Sequence, residues 1–136
     1  PLTNLEEMLE QIEVMKFLYP SLTVEEYKTK LEDMIPYRYQ QIGVFLEGQC
    51  IALSGFWLHT KIWSGKTLEL DNFIVHPEHR KMGLGQQMEV YLKNVALENN
   101  CATMVLDAFV DNFASHKFYY NQGYIARGYH FVKKLI

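Results

Sequence analysis

The stretch His79-Arg80-Lys81-Met82-Gly83-Leu84-Gly85 constrains this chain more than any other. An apolar run, Leu68 to Val75, precedes it, and apolar residues at helical spacing, Leu84 to Asn99, follow it. A strand that ends in a basic, glycine-containing turn and then opens a helix leaves backbone N–H groups without internal partners. The glycines allow a sharp reversal and a close approach to the backbone. The stretch therefore reads as a nest of amides for an anionic ligand, with Arg80 and Lys81 beside it. The plainer alternative is a glycine turn carrying a solvated basic pair. Arg80-x-x-Gly83-x-Gly85 lacks the third glycine of the dinucleotide fingerprint and the Gly-Lys-Ser/Thr ending of a P-loop.

The flanking pattern sets the fold class. Asn4 and Glu7 form a capping box, followed by Leu5, Met8, Leu9, Ile12 and Met15 at helical spacing, up to Tyr19-Pro20. Thr23 and Glu26 form a second box, and Val24, Tyr27, Leu31 and Met34 stripe a second helix that Pro36 stops. Gln41 to Leu46, Cys50 to Ile62 and Thr67 to Val75 read as strands joined by Glu47-Gly48 and Ser64-Gly65, an antiparallel meander. The helix Leu84 to Asn99 leads to a strand Ala102 to Phe109, and a crossover of that length makes this strand parallel to the one before the helix. Asn112 to Gln122 reads as a short helix closed by Gly123, and Tyr124 to Arg127 and His130 to Leu135 as two last strands. The expectation is one α+β domain over residues 1–136 with a mixed, mostly antiparallel sheet.

Length and composition narrow the function classes. With 49% hydrophobic and 14% aromatic residues, the 136-residue chain can build a real core. A net charge of −3 offers no basic footprint for nucleic acid, and is weakly compatible with a cationic substrate. No apolar run reaches the roughly 18 residues of a membrane span, and Pro1 to Asn4 are not a secretory signal. Cys50 and Cys101 lack zinc or CxxC spacing and read as reduced thiols of a cytoplasmic protein. His76 and His79 lack a third ligand, so no metal is expected.

Two further groups of residues carry chemistry. Glu69 and Asp71 lie between apolar strand residues. Strict alternation puts them on one face with Phe73 and Val75, and Leu68, Leu70, Asn72 and Ile74 on the other, unless a bulge intervenes. They either pair with basic residues on a half-exposed face or accept a proton in a cleft. The segment Asn112 to Tyr124 contains Phe118 and Tyr119, whose spacing suits core packing, and His116, expected at the surface.

Together these pieces resemble the GNAT N-acetyltransferase superfamily. Arg80-x-x-Gly83-x-Gly85 is similar to its acetyl-CoA signature, Q/R-x-x-G-x-G/A. The later segment resembles its Asn-x-x-Ala-x-x-Phe-Tyr-x-x-x-Gly-Phe pattern at Asn112, Phe118, Tyr119 and Gly123, with Ser115 for Ala and Tyr124 for Phe. The resemblance covers Leu68 to Leu135, and the helix–helix–meander order before it agrees. There are two departures. Only Pro1 to Thr3 stand where the family begins with a strand, and Lys81 stands where Gly is frequent.

The resemblance implies an α/β/α sandwich with a splayed parallel pair at the sheet centre and helices on both faces. It implies direct acetyl transfer from acetyl-CoA, as co-substrate, to a primary amine of a small molecule, peptide or protein. The pyrophosphate would rest on Arg80, Lys81, Met82, Gly83, Leu84, Gly85 and Gln86, and the pantetheine along Phe73, Ile74 and Val75. Asn112 and Tyr119 would stand near the sulfur. Glu69, eleven residues before Arg80, is the first choice of base and Asp71 the second; Tyr119 would face the departing thiolate. Tyr19, Tyr27, Tyr37, Tyr39, Trp57 and Trp63 could wall the acceptor site or simply pack. A homodimer is compatible with the family. The rival readings are an acyl-CoA-binding sensor or scaffold without transfer, and an interaction domain that binds no CoA.

Overall fold

The computed structural model describes residues 1–136. Its centre is one four-stranded sheet in the order β1-β2-β3-β4: β1 Tyr39–Leu46, β2 Gln49–Lys61, β3 Gly65–Val75 and β4 Thr103–Leu106. The first three strands form the expected antiparallel meander, and β3 and β4 are parallel. The Glu47-Gly48 reversal has both residues at positive φ, 51° and 82°, as a tight two-residue hairpin of this hand requires. Ahead of α1, Leu2 makes a single antiparallel bridge to Gln41, donating to its carbonyl at 2.7 Å.

Helices cover both faces of the sheet. α1 (Leu5–Leu9), α2 (Ile12–Met15) and α3 (Val24–Met34) bury Met8, Met15, Tyr27 and Leu31 against Tyr39, Leu53 and Ile74. On the other face, α4 (Leu84–Glu98) buries Leu84, Met88, Leu92 and Ala96 against Phe56, Leu58, Leu68 and Leu70. α5 (Phe113–Asn121) packs on this second side, where Phe118 meets Phe73 with ring centres 5.8 Å apart. Asn4 and Thr23 cap α1 and α3 by accepting from the Glu7 and Glu26 amides at 2.9 and 3.1 Å. Gly123, at φ 94°, closes α5 while the Tyr124 amide reaches back to the Tyr119 carbonyl.

The structure corrects the sequence reading in four places. The first predicted helix is two short ones, because Gln11 leaves helical geometry at ψ 19°. The reoriented second piece places Ile12, Val14 and Met15 all in the core. β4 is four residues rather than eight, because its pairing with β3 stops at Leu70–Leu106. The two final strands, Tyr124 to Arg127 and His130 to Leu135, are absent. Beyond Tyr124 no tail residue makes a backbone hydrogen bond, and residues 125–136 are exposed. The alternating pattern gives them strand character, but a strand needs a partner for its backbone groups, and these have none within the chain.

The fourth correction concerns β3. A bulge sets Asn72 and Phe73 against the single residue Ser54, since Gly55 pairs with Asp71 and Leu53 with Ile74. Asn72 takes φ 59°, a left-handed conformation that asparagine tolerates better than most residues. The bulge reverses the alternation. Phe73 and Val75 join Leu68 and Leu70 on the α4 side, Ile74 turns toward α1–α3, and Glu69 and Asp71 no longer share a face with Phe73 and Val75.

Gly55 is required where the bulge meets β2. A Cβ there would stand 2.7 Å from Tyr39 Cζ and 2.8 Å from the Asp71 carbonyl oxygen. Gly55→Ala is expected to destabilise the fold by about 1–3 kcal/mol through overpacking, read as a lower urea midpoint at unchanged slope.

Candidate active site

β3 and β4 part company after Leu70 and Leu106. β3 continues to Val75, so its residues 71–75 have no strand on the β4 side while β2 pairs with the other. An open gap with unpaired backbone groups along one wall results. Phe73, Ile74 and Val75 lie on that wall.

The basic turn follows directly. Pro77–His79 makes a single 3-10 turn, and the chain reaches α4 through Lys81 at φ 66° and Gly83 at φ 76°. Gly83 is the N-cap of α4 and no side chain caps the helix. The first amides of a 15-residue helix thus remain free for an anion, where the helix dipole favours one. Arg80, Lys81, Met82, Gly83 and Gln86 are exposed around them, whereas Leu84 is buried and only its amide is available. Gly85 lies under α5: a Cβ there would meet Phe118 and Phe73 at 3.4–3.5 Å. The imidazoles of His76 and His79 meet edge to face, 5.4 Å apart, and His76 Nδ1 accepts the Glu78 amide.

Tyr119 stands on the α4–α5 side, its ring 6.2 Å from Phe73 and 5.7 Å from Tyr124. Its hydroxyl makes no hydrogen bond within the protein, and burial pushes its pKa up to about 12. It is a half-buried donor with no partner in the protein. Asn112 is otherwise employed: its Oδ1 accepts the Ser115 amide at 3.2 Å and caps α5. His116, expected at the surface, is half-buried and bonds the Phe109 carbonyl through Nε2 at 2.8 Å.

The acids lie on the opposite face, toward α1–α3. Glu69 pairs across the ladder with Trp57, and its Oε1 is 3.8 Å from His59 Nε2. Asp71 is the first residue past the last β3–β4 pair, and its Oδ2 accepts the Trp57 indole N–H at 2.9 Å. Trp57 leans on Tyr39, with ring centres 4.9 Å apart. Tyr39 donates to Asn72 Oδ1 at 2.9 Å, and Asn72 Nδ2 donates to the Tyr19 hydroxyl at 3.0 Å. Behind them, buried Gln41 donates to the hydroxyls of both Tyr27 and Tyr39. The structure thus brings Tyr19, Tyr27, Tyr39 and Trp57 together beside the acids. It leaves Tyr37 and Trp63 apart, 72% and 65% exposed. His59, Asn72 and Gln41 join the site region without having been singled out in the sequence. For His59 and Gln41 the available signal was strand parity, which places one beside Glu69 and the other beside Tyr39. Both cysteines are free thiols, with pKa raised by burial. No helix is long and apolar enough to cross a membrane.

Lys81 is a side chain in a left-handed conformation. Lys81→Gly is expected to raise stability by about 0.5–1 kcal/mol through release of that strain, measured by urea unfolding.

Comparisons with known proteins agree with this arrangement. A family model described as the acetyltransferase (GNAT) family matches residues 6–124. No curated protein matches the sequence. Among solved structures, glucosamine-6-phosphate N-acetyltransferase from Arabidopsis thaliana superposes with a TM-score of 0.77 at 20% identity, covering 100% of this chain and 97% of its own. An acetyltransferase from Trypanosoma brucei gives 0.76 at 18% identity, covering 99% and 95%. The aminoglycoside N-acetyltransferase AAC(6')-Iy, in complex with CoA, gives 0.82 at 18% identity, covering 95% and 90%. These likenesses establish the shared fold, and the family match over the strand–turn–helix and the parted strand pair establishes that the chain belongs to the acetyltransferase (GNAT) family.

Proposed function

We propose that this chain transfers the acetyl group of acetyl-CoA directly to a primary amine of a small molecule or peptide, in the cytoplasm. The observation that carries this reading is the gap where β3 outruns β4. It has free helix amides at one end, an unengaged tyrosine on one side and two carboxylates on the other. The chain's own groups fit the co-substrate. The amides of residues 81–86, with Arg80 and Lys81, suit a pyrophosphate, and the free backbone of 71–75 suits the amides of a pantetheine arm. Acetyl-CoA supplies an activated acyl carbon; the protein supplies position and proton traffic. The glucosamine-6-phosphate and aminoglycoside N-acetyltransferases that share the fold are named for small-molecule acceptors, which favours a small amine here.

An alkyl amine with a pKa near 10.4 is an ammonium at pH 7, and making it neutral costs about 4–5 kcal/mol. Glu69, or Asp71 in second place, accepts that first proton. Asp71 is oriented by the Trp57 N–H, and the aromatic rings beside it suit a cation before it is deprotonated. The amine lone pair then forms the C–N bond as the C–S bond breaks, and the electron pair leaves on sulfur. The second amine proton ends on the thiolate, giving amide, free thiol and one proton to solvent. Tyr119 answers the developing sulfur charge. With its pKa at about 12, complete transfer to a thiolate of ordinary basicity, near 8.5, would cost about 5 kcal/mol. Tyr119 therefore acts as a hydrogen-bond donor, with the proton itself arriving from the amine or water.

Tyr119→Phe is expected to lower kcat by roughly 10- to 100-fold while leaving the acetyl-CoA Kd within about twofold; unchanged turnover removes Tyr119 from the reaction. Because its hydroxyl stays neutral until about pH 12, the wild-type rate should show no fall from Tyr119 ionisation between pH 8 and 10. Glu69→Gln is expected to lose kcat/KM most at pH 6–7 and to recover as pH approaches the amine pKa, since the free amine then needs no base; parallel profiles would argue against Glu69. Calorimetric binding of acetyl-CoA, followed by free-thiol detection over an amine panel, tests the reading as a whole. Binding without turnover on any amine would favour the sensor.

A further inference from the structure

α5 carries Tyr119, yet no residue of α5 is fully buried. A buried stripe therefore does not hold it in place. Its seat on α4 has two points. Gly85 lies under the Phe118 ring, and Glu89 stands one turn further along the same face of α4. Glu89 is an enclosed acid, 5% exposed, and it makes no ion pair. A carboxylate taken out of water is costly unless a partner compensates. Its one side-chain partner is the Tyr124 hydroxyl, which donates to Oε1 at 3.4 Å and lies 4.0 Å from Met104 Sδ of β4. Tyr124 stands where the motif pattern has Phe, and the hydroxyl this adds is the group that Glu89 receives.

Tyr124 is also tied to Tyr119 twice. Its amide donates to the Tyr119 carbonyl at 3.0 Å, and its ring meets that of Tyr119 edge to face, 5.7 Å away. Phe73 of β3 meets the Tyr119 ring as well, 6.2 Å away. One neighbour of the Tyr119 ring thus belongs to the sheet, and another is anchored at its far end to α4. Burial first, and then the Glu89 charge, raises the Tyr124 pKa, so its hydroxyl stays protonated and remains a donor.

We propose that the Tyr124–Glu89 hydrogen bond is a positioning device that docks the C-terminal end of α5 on α4 and so holds Tyr119 in place for the reaction. The inference rests on the acetyl-transfer role given to Tyr119 above. Glu89 and Tyr124 are positioning residues and act through Tyr119. Phe at position 124 would keep the ring contact and lose the anchor, leaving the end of α5 free to shift. A misplacement on the order of 1 Å at a reacting group costs up to about 100-fold in rate.

The test uses Tyr124→Phe, Glu89→Met and the two combined. Tyr124→Phe leaves an enclosed carboxylate without its donor, and Glu89→Met leaves a hydroxyl without its acceptor, so each alone should lower the urea midpoint. The combined variant replaces both partners by apolar groups of similar shape and should restore it. Turnover is expected to part from stability: kcat should stay about tenfold low in the combined variant, with the acetyl-CoA Kd within about twofold. In a Tyr119→Phe background the same two substitutions should lower kcat no further. Hydrogen exchange at amides 117–122 should run about tenfold faster in the combined variant, with amides 88–96 of α4 at wild-type rates. Recovery of kcat together with the urea midpoint makes the bond a matter of stability alone and overturns the proposal. So does a further loss in the Tyr119→Phe background, or wild-type exchange at 117–122. A wild-type protein that turns over no amine overturns the transfer reading instead, and the exchange rates then decide the tie by themselves.

Discussion

The hydrogen bond from the Tyr39 hydroxyl to Asn72 Oδ1, 2.9 Å long, sits where the organisation of the site begins. Asn72 holds a left-handed backbone in the middle of a long strand, and its side chain is clamped between two tyrosines. A bulge of this kind inserts one residue and flips every later side chain to the other face. Without it, Phe73 and Val75 would point toward α1–α3 with the acids, and α5 would lose the Phe73 ring on which Phe118 and Tyr119 rest. With it, one strand carries carboxylates to one side of the sheet and seats the tyrosine on the other. Tyr39 in turn depends on Gln41, and both are buried. The polar network is thus enclosed by the same packing that closes the first core, so the strand cannot easily relax its register.

The parted strands and the uncapped helix follow a common logic. Both withhold hydrogen-bond partners from backbone groups that the fold could have satisfied. β4 stops pairing just where β3 begins its run toward the basic turn, and Gly83 takes a position where a serine or aspartate would have capped α4. Unmet amides near solvent are inexpensive while water serves them, and they are available to a ligand that brings phosphate and amide groups. The arrangement asks little of side chains. That is why Leu84, with its side chain committed to the core, can still offer its amide to the proposed anion site.

Much of this was legible in the sequence. The turn at Arg80 to Gly85, the N-caps at Asn4 and Thr23, the meander and the crossover all rest on local signals with short range, and they appear where spacing put them; the reciprocal glutamate half of each capping box does not form, and Glu7 accepts the Thr3 amide instead. The failures share a different cause. The bulge at Asn72 depends on tyrosines from positions 19 and 39, so no window around β3 contains its reason. The early end of β4 reflects how two strands diverge in space. The tail from Ile125 to Ile136 has the composition of strands but no intramolecular partner, and composition reports a capacity to pair without naming what is paired. Asn112, at a motif position, also caps α5 through its oxygen, a role that its place before the helix already suggests.

The energetics of the site place the emphasis on positioning. Burial makes Tyr119 a poorer acid than a free tyrosine, so the same packing that holds its ring against Phe73 weakens it as a proton source. A hydrogen bond to a developing negative charge would gain from that partial burial, because the donor stays neutral and its dipole is less screened. The carboxylates face the converse situation. Glu69 and Asp71 are half-exposed, within reach of water that can carry a proton away. In the proposed reaction, one side of the sheet thus offers a half-buried dipole and the other a base within reach of water. In the proposed reaction, a gap holding the acyl carbon between them would turn a bimolecular encounter into a local rearrangement, a gain larger than either side chain would supply by itself.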